Sequence, residues 1–124
     1  MTKEAIGIGF GTWAWGNKLV WGYKPETDNI LLKKTFFDAI DGGLDLVDTA
    51  DSYGTGTLLG QSENLIGSFL EELPKKKLKK VTIATKLAPF PWRIGRRGLN
   101  QAFQASNSRL RGNMKRVQLH WSTY

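Results

Sequence analysis

The sequence contains no cysteine. Disulfides, thiolate metal sites and cysteine nucleophiles are therefore excluded. Histidine occurs once, at His120, so a multi-histidine zinc site is excluded as well. No apolar run approaches the roughly 20 residues that cross a bilayer. The opening Met1-Thr2-Lys3-Glu4 has neither the apolar core of a secretory signal nor the Ser/Arg-rich, acid-poor character of a transit leader. These absences lead us to expect a soluble intracellular chain without membrane partners.

What is present fits one small globular domain. The chain has 124 residues, of which 40% are hydrophobic and 23% charged, values typical of a domain with a packed core. Net charge is +7, and twelve of the 18 basic residues fall in two stretches, Lys75–Lys80 and Arg93–Arg116. A basic face suggests nucleic acid or phosphate. No nucleic-acid motif accompanies this charge, and a lysine run joining a helix to a strand is normally a solvated connection. No nucleic-acid partner is expected.

Along the chain, residues 6–12 alternate glycine with apolar residues and read as a short strand with close backbone approaches. Gly7, Gly9 and Gly11 have the wrong spacing for a dinucleotide fingerprint. Trp13, Trp15, Trp21 and Tyr23, with glycines between them, read as an irregular aromatic loop that packs as a lid or lines a pocket for a flat ligand. From Thr27 or Asp28, Leu32, Phe36, Ala39 and Ile40 recur at helical spacing until Gly42-Gly43. Leu44–Asp48 reads as a second strand. Ser62 is the expected cap of a helix whose stripe is Leu65, Ile66, Phe69, Leu70 and Leu73, stopped by Pro74. Val81–Lys86 is β-rich. Leu87–Gly98 reads as a loop, 99–110 as a third helix, and 117–121 as a fourth, short strand.

Strand and helix thus alternate, which implies right-handed crossovers and a parallel sheet of the α/β class. Four residues with useful chemistry stand at or just past the ends of three successive strands: Asp48 and Tyr53, then Lys86, then His120. In parallel sheets that is where chemistry collects. A phenol, with pKa ~10, is a poor acid near neutrality, and a nearby ammonium favours its phenolate. A carboxylate would hold the lysine, and the histidine would hydrogen-bond a carbonyl oxygen or relay the proton. Each residue alone has a blander role, as cap, packed aromatic, surface cation or core histidine; their joint placement favours a carbonyl-reduction site.

The motifs that carry these residues resemble those of a known family. Asp48-Thr49-Ala50-Asp51-Ser52-Tyr53-Gly54, Ala84-Thr85-Lys86 and Gln118-Leu119-His120-Trp121 are similar, in order and in gaps of 33 and 34 residues, to the aspartate–tyrosine, lysine and histidine strands of the aldo-keto reductases. Gly11-Thr12-Trp13-Ala14-Trp15-Gly16-Asn17, Trp21-Gly22-Tyr23, Thr55-Gly56, Gly60-Gln61-Ser62-Glu63 and Ser122-Thr123 narrow the resemblance to the plant-type pyridoxal reductase branch. It implies NADPH as cofactor, reduction of an aldehyde such as pyridoxal to the alcohol, Tyr53 as general acid, Lys86 and Asp48 as its tuning pair, and His120 as the residue that orients the carbonyl. Gly11, Thr12, Trp13 and Asp48 would lie at the cofactor, and Trp15, Trp21 and Trp121 would wall the substrate pocket. No metal is implied. By the same resemblance the compartment is the cytoplasm, or the plastid if a leader has been lost.

The family fold is a (β/α)8 TIM barrel of about 250 residues. Residues 1–124 correspond to the N-terminal part of such a domain, ending before strand five: four parallel strands and three helices, an incomplete barrel. Both edge strands would be unpaired, and self-association of the half-barrel would cover them. The isolated chain is expected to have little reductase activity. A non-catalytic truncated paralogue acting as a binding or interaction module is the competing expectation. Gly112–Arg116, with its cations, makes His120 the least securely placed of the four.

Overall fold

A computed structural model describes residues 7–54 and 60–121. Of the stretches singled out above, Ile6, Thr55-Gly56 and Ser122-Thr123 lie outside the described residues, as do Met1–Glu4. The elements run β1 (Gly9–Gly11), α1 (Lys18–Trp21), α2 (Pro25–Asp41), β2 (Leu46–Asp48), α3 (Gln61–Glu71), α4 (Lys75–Leu78), β3 (Thr82–Leu87), α5 (Gly95–Arg109) and β4 (Met114–Leu119). The strands form one sheet in the order β1-β2-β3-β4, every neighbouring pair parallel. Sequential order is that of a singly wound barrel wall rather than a doubly wound sheet, whose order reverses at a switch point. The sheet is thus a partial barrel with β1 and β4 at its edges. No helix among the described residues is long and apolar enough to cross a membrane.

The core joins α2 and α3 to the strands. Phe36, Val47, Ile66, Leu70, Ile83 and Leu110 are each 2% exposed or less, and complete burial of such a side chain stabilises by about 1.5–3 kcal/mol. Gly9 is the close approach expected of the glycine-rich strand: a Cβ there would lie 2.7 Å from the carbonyl oxygen of Leu46.

Local chemistry moved several boundaries. Helix α2 starts at Pro25 rather than Thr27 or Asp28. Proline suits a first turn, where no N–H partner is needed, and the Asp28 carboxylate accepts from the Lys24 N–H at 2.7 Å instead of capping. The aromatic loop contains a helical turn, α1, capped by the Asn17 side chain on the Val20 N–H (2.9 Å) and closed by Gly22 at φ 65°. Ser62 is not the cap of α3. Gly60 holds that position at φ 80°, and Ser62 lies buried, its hydroxyl donating to Thr12 Oγ1 at 2.7 Å. The lysine run forms a helical turn, α4, with Lys77 ion-paired to Asp41. Helix α5 begins four residues early. Gly98 permits this, because a Cβ there would meet the Arg93 backbone at 2.7 Å.

Strand β4 is longer than its polar sequence suggested. Main-chain pairing to β3 tolerates exposed cations, and a register shift between Ile83 and Ala84 skips Lys115. The Lys115 ammonium turns to the carbonyls of Val81 and Lys79 (3.2 Å to the latter). The ladder continues past the strand, the His120 N–H donating to the Leu87 carbonyl at 3.0 Å. Backbone pairing therefore fixes the histidine that Gly112–Arg116 had made the least certain of the four.

Candidate active site

The C-terminal ends of β2, β3 and β4 bring Asp48, Tyr53, Lys86 and His120 together. Strands β2 and β3 run side by side, Asp48 opposite Ala84, so Lys86 reaches back from further along β3. Its ammonium lies 2.8 Å from both Asp48 carboxylate oxygens and 2.8 Å from the Thr49 carbonyl. An ammonium has three protons, and these three contacts account for them. Lys86 therefore acts on Tyr53 as a nearby charge: its nitrogen lies 5.3 Å from the ring centroid of Tyr53.

His120 stands edge-on to the same ring, centroids 5.7 Å apart and planes at 74°. Among the described residues its other ring contact is Trp121, at 5.0 Å. Burial and the Lys86 charge hold its pKa below the usual histidine value, opposed by Asp51 and Asp48. The imidazole is thereby biased toward its neutral form, which donates from one nitrogen and accepts at the other.

The turn from Asp51 to Tyr53 is bolted down at several points. The Asp51 N–H donates to the Lys86 carbonyl at 3.0 Å. Its buried carboxylate accepts from the Ala88 N–H at 3.0 Å and pairs with Arg93 at 2.5 Å. Ser52 Oγ is 3.1 Å from His120 Nδ1. Asp51, Ser52 and Arg93 had not been singled out as site residues. Two of them stand inside the quoted motif, but Ser52 and His120 are 68 positions apart, and only the fold shows that they meet.

The remaining residues divide by exposure. Gly11 is open: it lies opposite Asp48 in the β1–β2 register, and a Cβ there would meet nothing within 4 Å. Trp13 and Trp21 are more than half exposed and meet edge-on at 5.8 Å. Trp121 is 44% exposed and packs edge-on against Phe90, itself stacked on Trp92 at 4.5 Å. Two expectations need correction. Trp15 is buried and packs on Phe10, Phe36 and Phe69, so it is a core residue rather than an open pocket wall. Thr12 is fully buried. Its N–H donates to the Asp48 carbonyl at 3.0 Å, and its hydroxyl donates to the same oxygen at 3.2 Å while accepting from Ser62. It fastens β1 beneath Asp48 and offers no surface for direct cofactor contact.

A singly wound parallel wall with such groups at its C-terminal mouth is the architecture of a barrel-enzyme active site. The aldo/keto reductase family profile matches residues 7–124, and the chain belongs to that family. Over 119 residues it is 49% identical to the chloroplastic pyridoxal reductase of Arabidopsis thaliana, covering 94% of this chain and 32% of that protein. It is 34% identical to the aldo-keto reductase YhdN of Bacillus subtilis, covering 95% of this chain and 35% of that protein. The chain thus spans about a third of the length of these curated relatives. Its fold is similar to the solved structure of PA4992, assigned to the aldo-keto reductases, from Pseudomonas aeruginosa: TM-score 0.69, 21% identity, 92% of this chain and 42% of that one.

Proposed function

We propose that this chain carries the proton-donating side of an NADPH-dependent carbonyl reductase that converts an aldehyde to its alcohol. The observation that supports this best is the Lys86–Asp48 pair beside the Tyr53 ring, with His120 on that ring's edge. Tyr53 gives its hydroxyl proton to the carbonyl oxygen as general acid. The Lys86 charge stabilises the phenolate that remains, Asp48 fixes Lys86, and His120 hydrogen-bonds the same carbonyl oxygen. A phenol and an imidazole as donors, with the Lys86 charge beside them, suit an oxygen that gains negative charge.

The residues fit the nicotinamide end of NADPH. The bare strip at Gly11, beside a carboxylate that is partly exposed, leaves room for a flat ring, and Gly11, Trp13 and Asp48 would hold it there. NADPH, when bound, supplies a hydride to the carbonyl carbon. Pyridoxal is the substrate we favour: identity to the Arabidopsis enzyme supports it, as do the exposed faces of Trp21 and Trp121, which suit a pyridine ring.

The reading is tested in a chimera in which this chain replaces the matching third of the Arabidopsis enzyme, by pyridoxal-dependent NADPH oxidation. Tyr53→Phe should lower turnover by roughly 10²–10⁴-fold, the range for loss of a general acid. A folded, NADPH-binding chimera in which the phenylalanine variant keeps full turnover would sink the assignment.

A further inference from the structure

We propose that Ser52 is a positioning residue: its hydroxyl donates to Nδ1 of His120 and so fixes the imidazole as the Nε2–H tautomer. In the reaction proposed above, on which this second part rests, that tautomer is the one that presents Nε2–H to the carbonyl oxygen.

Neutral histidine carries one ring proton, and the partner of one nitrogen decides the role of the other. Here the partner is known. Ser52 Oγ and His120 Nδ1 are 3.1 Å apart, a hydrogen bond in which either group could donate. Two observations choose the direction. The Ser52 hydroxyl has a single proton, and Nδ1 is the one acceptor it has among the described residues. Donation to Nδ1 uses that proton within the fold, whereas the reverse bond would leave it, among the described residues, to solvent alone. The ring also sits among groups that favour its neutral form: it is partly buried and close to the Lys86 ammonium, against the weaker opposing influence of Asp51 and Asp48. An imidazolium, with protons on both nitrogens, could not accept from Ser52.

The geometry has little slack. His120 is held through its N–H on the Leu87 carbonyl. Ser52 is held by its neighbour Asp51, bonded to the Lys86 carbonyl, the Ala88 N–H and Arg93. One turn therefore places the Tyr53 phenol and, one residue earlier, the hydroxyl that orients the histidine. The acid and the oxygen-binding group share one anchor.

Because the chain has a single histidine, its ring nitrogens can be read without ambiguity by ¹⁵N–¹H correlation NMR of the full 124-residue chain near neutral pH. The expected spectrum shows Nε2 protonated and Nδ1 as a hydrogen-bonded acceptor. Ser52→Ala should bring the two nitrogen shifts together as the tautomers mix, and Ser52→Thr, which keeps the hydroxyl, should restore them. A protonated Nδ1 in the wild-type chain, or an unchanged tautomer in a folded Ser52→Ala chain, overturns the proposal. The wild-type spectrum alone decides the direction of the bond if the alanine variant fails to fold. In the chimera, Ser52→Ala should lower kcat by about tenfold, the effect of one net hydrogen bond, with KM little changed. A fixed Nε2–H tautomer in a chimera whose turnover ignores Tyr53 would reject the reductase reading and leave the Ser52 bond standing.

Discussion

Lys86 contacts both oxygens of Asp48 at the same distance, 2.8 Å, with its third proton on the Thr49 carbonyl. The carboxylate therefore determines where the ammonium stands relative to Tyr53. Asp48→Asn and Lys86→Met should each lower turnover of the chimera by roughly 10²-fold, the low end of what acid–base groups contribute. The double variant should fall little further, because residues in one network are not additive. A double-mutant cycle on kcat measures this. Fully multiplicative losses would mean that Asp48 acts on its own, for instance at the cofactor.

A second ion pair, on a buried carboxylate, holds the scaffold. Glu63, fully buried on α3, accepts from Arg109 Nε at 2.6 Å and from the Thr85 hydroxyl. Arg109→Met would strand a buried carboxylate, which costs about 3–5 kcal/mol. That is a large share of the stability of a small domain. Urea unfolding followed by circular dichroism should show the loss, with Glu63→Gln in the same background recovering part of it. Unchanged midpoints in both variants would show that the pair contributes nothing.

Helix packing at Gly67 gives a sterically sharper expectation. A Cβ on Gly67 would lie 2.0 Å from the Arg109 carbonyl oxygen, far inside van der Waals contact and against backbone that cannot swing aside. Gly67→Ala should therefore push α3 and α5 apart and destabilise by at least the 1–3 kcal/mol typical of overpacking. A more stable alanine variant, the usual outcome for an exposed helical glycine, would show that the two helices are not so close in solution.

The alternation of strand and helix was legible because it rests on period and punctuation. Gly42-Gly43 and Pro74 end helices for local reasons, and the long apolar stripes of α2 and α3 leave little choice. The order of the chemistry-bearing residues was legible too, since each stands at a strand end. What the sequence could not display were preferences that tertiary contacts override. Ser62 looks like a cap, yet its hydroxyl is taken by Thr12. Trp15 looks like its exposed neighbours, yet three phenylalanines enclose it. Strand β4 is polar and exposed, held by main-chain bonds that no side-chain pattern reports. The Ser52–His120 contact joins opposite ends of the motif set, and only the strand order brings them within reach.

The lowered pKa of His120 makes a prediction about stability and pH. Burial first, then the Lys86 charge, hold the folded imidazole below its unfolded value of 6.5. Below that value the unfolded chain binds the proton more readily than the folded one, so acid favours unfolding and stability rises with pH across the interval between the two values. Above 6.5 both states are neutral and the contribution is constant. Other ionisable groups contribute to the total, but His120→Gln removes this one group and leaves them in place. The difference in urea midpoint between wild type and His120→Gln should accordingly shift against the wild type as pH falls from neutrality through 6.5, then level off once the folded imidazole is also protonated. NMR titration of the single histidine gives the folded midpoint directly. A midpoint at or above 6.5, with a midpoint difference that is flat or slopes the other way, would mean that the nearby Asp51 and Asp48 outweigh burial and Lys86. A midpoint well above 6.5 would also leave a proton on both ring nitrogens near neutral pH, which the hydrogen bond from Ser52 does not allow.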